Sequence, residues 1–209
     1  MQFDLTGADR SQAYRLLASV VVPRPIALVT TLGPDGTANA APFSFFNLLG
    51  SSPPVVGLNI ADRSADTPKD TRANIERTGE FVVNLVPESL ARSMNVCAVD
   101  FPAGVSELDA ARLTTLPSAQ LAVPRLAESP VNLECRLHSI IPLGDNRIVL
   151  AEVVFLHIRD EFLDPDSLRV RTEALGLIGR MHGGGWYART TDLFDLPRIP
   201  YEEWRKGNG

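Results

Sequence analysis

Residues 131–158 set the narrowest limit on the fold. In "VNLECRLHS" (131–139), Val131, Leu133, Cys135 and Leu137 alternate with Asn132, Glu134, Arg136 and His138, the period of a strand with one face on a core and the other in solvent. Gly144-Asp145-Asn146 is a turn signal, and the run "RIVLAEVVFLHI" (147–158) after it is long and apolar. Two strands joined by so short a turn pair antiparallel. The length of the second suits the wall of a closing barrel better than the edge of a sandwich.

The remaining segments agree with that architecture. Thr6 and Asp9 open a helix over about 8–21, with Ala13, Tyr14, Leu16, Leu17 and Val20 as its core face, and Pro23-Arg24-Pro25 ends it. "IALVTTL" (26–32) reads as a buried strand, "GPDG" (33–36) as a turn, and 37–42 as a second strand. Pro53-Pro54 introduces a strand at 55–60. The spacing then predicts a helix within 66–79, with Thr67 as N-cap, Pro68 at the first helical position and Gly79 past the last turn. A strand (81–86) and a helix (88–99, Leu90, Met94 and Cys97 inward) precede an irregular excursion over 100–130 with one short helical turn. This order lacks the regular strand–helix alternation of a parallel sheet. It fits a mainly β, antiparallel barrel with helical insertions, in one domain spanning 1–209.

Composition removes several classes of function. The net charge of −5, with no basic run, argues against a nucleic-acid surface. No apolar stretch approaches the roughly 20 residues that span a bilayer, and "MQFDLTGADR" is no signal peptide, so no membrane association and a cytoplasmic location are expected. Cys97 and Cys135 have no metal-ligand spacing and read as small buried hydrophobes. His138, His157 and His182 lie far apart, which predicts no protein-held metal. GxGxxG, Walker A, GxSxG and HExxH motifs are all absent.

Two features remain. Lys69, near the start of the 66–79 helix, opposes the partial positive charge of that terminus. It belongs there if a phosphate is held by Lys69, the Thr71 hydroxyl and the free amides; otherwise it is a solvated lysine paired with Asp66 or Asp70. In "ANAAPFSFF" (38–46), Ala38, Ala40 and Ala41 leave room for a flat ligand beside the backbone. Pro42 ends ladder pairing, and the groups around Phe43–Phe45 then need another partner, such as an isoalloxazine ring. The alternative is a core-packing loop in which Phe43, Phe45 and Phe46 are simply buried.

"PRPIALVTTLGPDGTANAAPFSFFNLLGSSPPVVGLNI" followed by "KDTRANIERTGEFVVNLV" resembles the flavin reductase-like family of FMN-binding split barrels, in its flavoredoxin-like branch. The RPI-x-x-VTT strand, the N-x-AP-x-SFF segment, the PP-strand and the KDT-x-x-NI helix occur in order, and "GRMHGGGWYART" (179–190) matches the family's glycine-rich C-terminal segment. The resemblance implies a six-stranded antiparallel split barrel, a homodimer, and FMN near the dimer interface. It also implies flavin contacts from Thr30, Thr31, Ala41, Pro42, Phe43, Ser44, Phe45, Lys69 and Thr71, with Arg24, Asn47, Asn74, Arg180 and His182 as further candidates. The implied activity is reduction of flavin by NADH or NADPH without a side-chain nucleophile or base, catalytic residues being unassigned. A flavin-dependent monooxygenase or another redox protein is the implied partner. A flavoredoxin-like electron carrier and a non-catalytic flavin-binding protein are the alternatives.

Overall fold

The computed structural model describes residues 1–62, 67–101 and 105–207. After the surface helix α1 (Arg10–Val20) come β1 (Ala27–Leu32), β2 (Ala38–Phe43), β3 (Phe46–Ser51) and β4 (Pro54–Asn59). Helix α2 (Asp70–Thr78) leads into β5 (Glu80–Leu85), then a 3-10 turn at Glu88–Leu90, α3 (Ala91–Val96) and α4 (Glu107–Ala111). A short pair, β6 (Thr115–Leu116) and β7 (Arg125–Leu126), precedes the long strands β8 (Val131–Leu143) and β9 (Asn146–Ile158). The chain finishes with two small hairpins, β10 (Leu163–Asp164) with β11 (Arg169–Val170) and β12 (Ile178–Arg180) with β13 (Tyr187–Arg189), and with α5 (Tyr201–Gly207).

One antiparallel sheet carries the fold, in the order β2-β1-β5-β8-β9-β4-β3. Its edges, β2 and β3, are consecutive in the chain and separated only by Ser44 and Phe45. The sheet must therefore curl until its edges meet, and the β3–β4 ladder reaches back to the seam, Asn59 donating its amide to the Phe45 carbonyl at 2.8 Å. Phe43 of β2, Val56 and Leu58 of β4, Phe81 of β5, Cys135 of β8 and Val149 of β9 share one interior cluster, closed at one end by Ile75 of α2. The fold is a split barrel. The sheet has seven strands rather than the expected six, because the sequence reading passed over β3. Leu48 and Leu49 are exposed and the register shifts between Leu48 and Gly50, so neither alternation nor burial marks β3 in the sequence.

Other expectations shift for physical reasons. Asp9, not Thr6, caps α1, its carboxylate accepting from Ser11 N at 3.0 Å and Gln12 N at 3.2 Å. Only Ala18 of α1 is buried, so the face Ala13, Tyr14, Leu16, Leu17 and Val20 is not a core face. Helix α2 starts at Asp70 with Lys69 as N-cap, later than Thr67 and Pro68 suggested; Gly79 ends it in the left-handed region at φ 70° as expected. Asp66 lies outside the described residues.

The largest correction concerns β8. Its polar face is covered by the 115–126 excursion, leaving Asn132 and Glu134 buried. Asn132 Nδ2 donates to Asn84 Oδ1 at 2.8 Å and to the Leu126 carbonyl at 3.1 Å. Glu134 accepts from the amides of Ala119 (2.6 Å) and Gln120 (2.8 Å) and meets His157 Nε2 at 2.6 Å. Burial raises the Glu134 pKa, but the His157 contact and the two amides outweigh it and leave the carboxyl below its ordinary value. Cys97 and Cys135 are free and buried, and burial pushes both thiols up to about 12.

A depressed folded pKa contributes stability that is complete above the unfolded carboxylate value, about 4.3, and is lost as pH falls through the folded value. Glu134→Gln is expected to lower the unfolding free energy by about 1–3 kcal/mol at neutral pH, with the gap to wild type closing in strong acid. Urea titrations at both pH values test this, and equal stability at neutral pH contradicts it.

Candidate functional site

The two-residue seam between the barrel edges forms the wall between two clefts. One, of about 230 Å³, is lined by Tyr14, Pro42, Phe43, Ser44, Asn95, Arg180 and Tyr187 among others. The other, of about 420 Å³, lies between α1 and the seam, with Leu17, Val21, Arg24, Ser44, Phe45, Phe46 and Asn47 in its lining. Ser44 faces both. Pro42 does not end ladder pairing as expected: it stands opposite Leu28 and β2 continues to Phe43, because β2 is an edge strand and the missing donor breaks no ladder. The Arg180 guanidinium lies 4.7 Å from the centroid of the Tyr187 ring, and Lys69 Nζ lies 5.7 Å from that of Phe43.

Helix α2 presents its start to the same region. Lys69 occupies the N-cap in an extended conformation (φ −68°, ψ 146°) and makes no side-chain cap, where Ser, Thr, Asp or Asn ordinarily satisfies a first-turn amide. Thr71, Asn74 and Ile75 fall at i, i+3 and i+4 and form the buried face of α2. The Thr71 hydroxyl therefore points into the protein and donates to Asn39 Oδ1 at 3.2 Å. Asn74 Nδ2 donates to Thr31 Oγ1 at 3.1 Å, and Asn39 Nδ2 to Glu107 Oε1 at 3.0 Å. Thr31, Thr71 and Asn74 thus meet one another beneath α2. The residue joining them is Asn39, the first residue of the N-x-AP-x-SFF motif, which the sequence alone does not mark as part of the site.

Strand periodicity divides the two threonines of "VTT". Successive side chains on β1 point to opposite faces, so Thr30 turns away from Thr31 and donates to the Pro124 carbonyl at 2.7 Å. Its hydroxyl lies in neither cleft. Ala40 is buried with Leu108 and Ala111 of α4, and Ala38 packs partly against the same cluster. These two side chains are small because a helix packs on them; Ala41 alone faces the barrel interior beside Phe43.

Arg24 is 5% exposed. Its Nη1 donates to the carbonyls of Ala18 (2.6 Å) and Val21 (3.0 Å), its Nη2 to that of Met181 (2.8 Å), and the Phe45 ring centroid lies 5.7 Å from its guanidinium carbon. Among the described residues no carboxylate pairs with it. Burial lowers its pKa, with Tyr14 opposing and Arg180 adding to the shift. Arg24 holds α1, the seam and β12 together, and reciprocal backbone bonds with Arg180 at 2.9 and 2.8 Å complete the tie. The approach requires Gly179, where an added Cβ would meet Pro23 Cβ at 2.6 Å.

Two candidates stand apart. The Asn47 side chain turns back on its own strand, accepting from Leu48 N at 2.8 Å, though it borders the larger cleft. His182 is exposed in the β12–β13 turn against Trp186, ring centroids 5.7 Å apart, and lines neither cleft. Tyr14, Asn95 and Tyr187 border the smaller cleft but carry no sequence signal that separates them from packing residues.

The model of the flavin reductase like domain matches residues 19–173. Over 96% of this chain and 98% of the other, the structure is similar to the 2-nitrobenzoate 2-nitroreductase NbaA of Pseudomonas fluorescens, at 37% identity and a TM-score of 0.87. Nitrilotriacetate monooxygenase component B from Bacillus cereus is 31% identical with a TM-score of 0.88, covering 94% and 98% of the two chains. The flavoredoxin of Desulfovibrio vulgaris (Miyazaki F), 17% identical over 96% and 98%, shares the fold with a TM-score of 0.74.

Gly179→Ala is expected to force β12 off Pro23 and cost about 1–3 kcal/mol of stability, the usual scale for an overpacked contact. Thermal or urea unfolding measures it, and an unchanged transition would show that the Arg24–Arg180 tie has slack.

Proposed function

The chain belongs to the flavin reductase-like family, and on that premise we propose that it is an FMN-binding oxidoreductase, an NAD(P)H-dependent flavin reductase acting as a homodimer in the cytoplasm. The observation that carries this reading is the conjunction at the seam. A cleft with aromatic and polar walls, Phe43, Tyr187, Ser44 and Arg180, adjoins a helix start whose cap position holds a lysine instead of a capping side chain. Those donor groups suit a flat ring with a polar edge and a phosphate tail.

FMN, when bound, would supply the redox chemistry, hydride acceptance from a reduced nicotinamide and onward electron transfer. The protein's part is positioning, exclusion of water and charge. Lys69 and the amides at the start of α2 hold the phosphate. Pro42, Phe43 and Ser44 form the wall against which the ring rests, and Phe45 remains one residue away on the seam. Arg180 and the Ser44 hydroxyl offer donors to the polar edge. The charge of Arg24, buried beneath the seam without a carboxylate partner among the described residues, favours negative charge above it. Thr31, Thr71 and Asn74 serve from behind, locking α2 to β1 so that Lys69 keeps its place. Thr30 belongs to the packing of the 115–126 excursion.

The similarity to a monooxygenase component supports delivery of reduced flavin to a partner oxygenase. The similarity to a nitroreductase, together with the second cleft beside Phe45, supports a small-molecule acceptor reduced directly. Among the described residues no helix is long and apolar enough to cross a membrane.

Mixing the FMN-loaded protein anaerobically with NADH or NADPH is expected to bleach the flavin at a catalytic rate. Bleaching only by a protein donor would assign it to electron carriage instead, and failure to bind FMN overturns the reading. Lys69→Ala is expected to weaken FMN binding by about 1.5–3 kcal/mol, the scale of a charge-assisted hydrogen bond.

A further inference from the structure

The last segment of the chain is apolar and exposed, and the first helix carries an exposed apolar stripe. From Thr191 to Pro200 the chain has no regular structure, α5 follows, and every residue from Thr191 to Lys206 is exposed. This arm carries Leu193, Phe194, Leu196, Ile199, Tyr201 and Trp204, with Phe194 87% and Leu196 82% exposed. Solvated tails are not written this way.

Helix α1 is the matching anomaly. Its sole buried residue is Ala18, while Arg10, Tyr14, Leu17 and Val21, spaced i, i+4, i+7 and i+11, are exposed, a stripe of the kind that receives another element. The charges complement each other as well. Besides Arg10, which pairs with Asp145 at 3.2 Å, α1 carries Arg15 and no acidic side chain, and "TDLFDLP" (191–197) carries Asp192 and Asp195 with no base.

The hairpin that launches the arm points it away from its own α1. Strand β13 begins at Tyr187, opposite Arg180 and so beside the Arg24 bridge under α1, and runs to Arg189, opposite Ile178. There the exit is pinned by Arg189 Nε to Glu88 Oε2 at 2.6 Å and by Thr190 Oγ1 to the Leu177 carbonyl at 2.8 Å. A second copy of the chain, related by a twofold axis, satisfies both surfaces twice over.

We propose that residues 191–207 form an exchange arm that lies along the α1 stripe of a second copy and closes the cleft between α1 and Phe45. Phe194, Tyr201 and Trp204 each bury about 150–250 Å² when covered, so two arms supply most of the roughly 1,600 Å² of a stable interface. Leu17 and Val21 belong both to the stripe and to the lining of that cleft, so the arm of one copy completes the cleft of the other. The inference rests on the homodimer in the reading above and specifies what holds it.

The test places a photoreactive benzoylphenylalanine at Phe194 and mixes ¹⁴N- and ¹⁵N-labelled chains after dissociation. Irradiation is expected to join heavy to light chains, with the adduct mapping to residues 10–21. Deleting 191–207 is expected to raise the dimer dissociation constant roughly a hundred-fold or more. Adducts confined to one chain, or a dimer that keeps its affinity without the arm, overturn the exchange while leaving the dimer. A full-length protein that sediments as a monomer overturns both.

Discussion

A sheet whose two edge strands are separated by only Ser44 and Phe45 has no freedom to stay open, and from that constraint the rest of the molecule follows. Curling brings β2 to β4 and encloses the interior cluster of Phe43, Leu58, Phe81 and Val149. It also leaves a seam that no ladder can seal, because Pro42 lacks a donor and β3 carries a bulge. A seam in a barrel wall is a place where backbone groups face outward on a rigid frame, which is what a bound ring requires. The clefts on either side of Phe43–Phe45 are consequences of closure.

Two buried polar assemblies hold the seam in place from opposite sides. Below α2, Asn39, Thr31, Thr71 and Asn74 fix the helix to the barrel and so fix Lys69. Under α1, the Arg24 guanidinium gathers the carbonyls of Ala18, Val21 and Met181. A buried cation bonded to three carbonyls and the Ser44 hydroxyl, all neutral, is tolerated because its donors are satisfied, yet its field is not cancelled. The positive field and the lysine-capped start of α2 flank the same few residues.

Much of this was legible in the sequence, and the parts that were not have identifiable causes. The paired strands 131–158 and Gly79 as helix stop announced themselves through periodicity and local chemistry, whereas Pro42 looked like the end of a ladder that in fact runs on to Phe43. The "VTT" hydroxyls looked like a pair, but a strand sends neighbours to opposite faces, and only the fold reveals which face meets α2. Glu134 and Asn132 read as a solvent face because nothing in their own segment shows that residues 115–126 return to cover them. Helix α1 misled for the converse reason: its apolar face is real, but it faces outward. Lys69 stood out in the sequence as a cation in the wrong place, and its move to the N-cap makes the anomaly sharper.

The central claim is that flavin rests on the seam with its phosphate at the start of α2. Amide hydrogen exchange with and without FMN tests it directly. Added protection concentrated in residues 42–45, 69–72 and around 180 is the result this account predicts. Protection elsewhere, or an exchange pattern that FMN leaves unchanged, would contradict it.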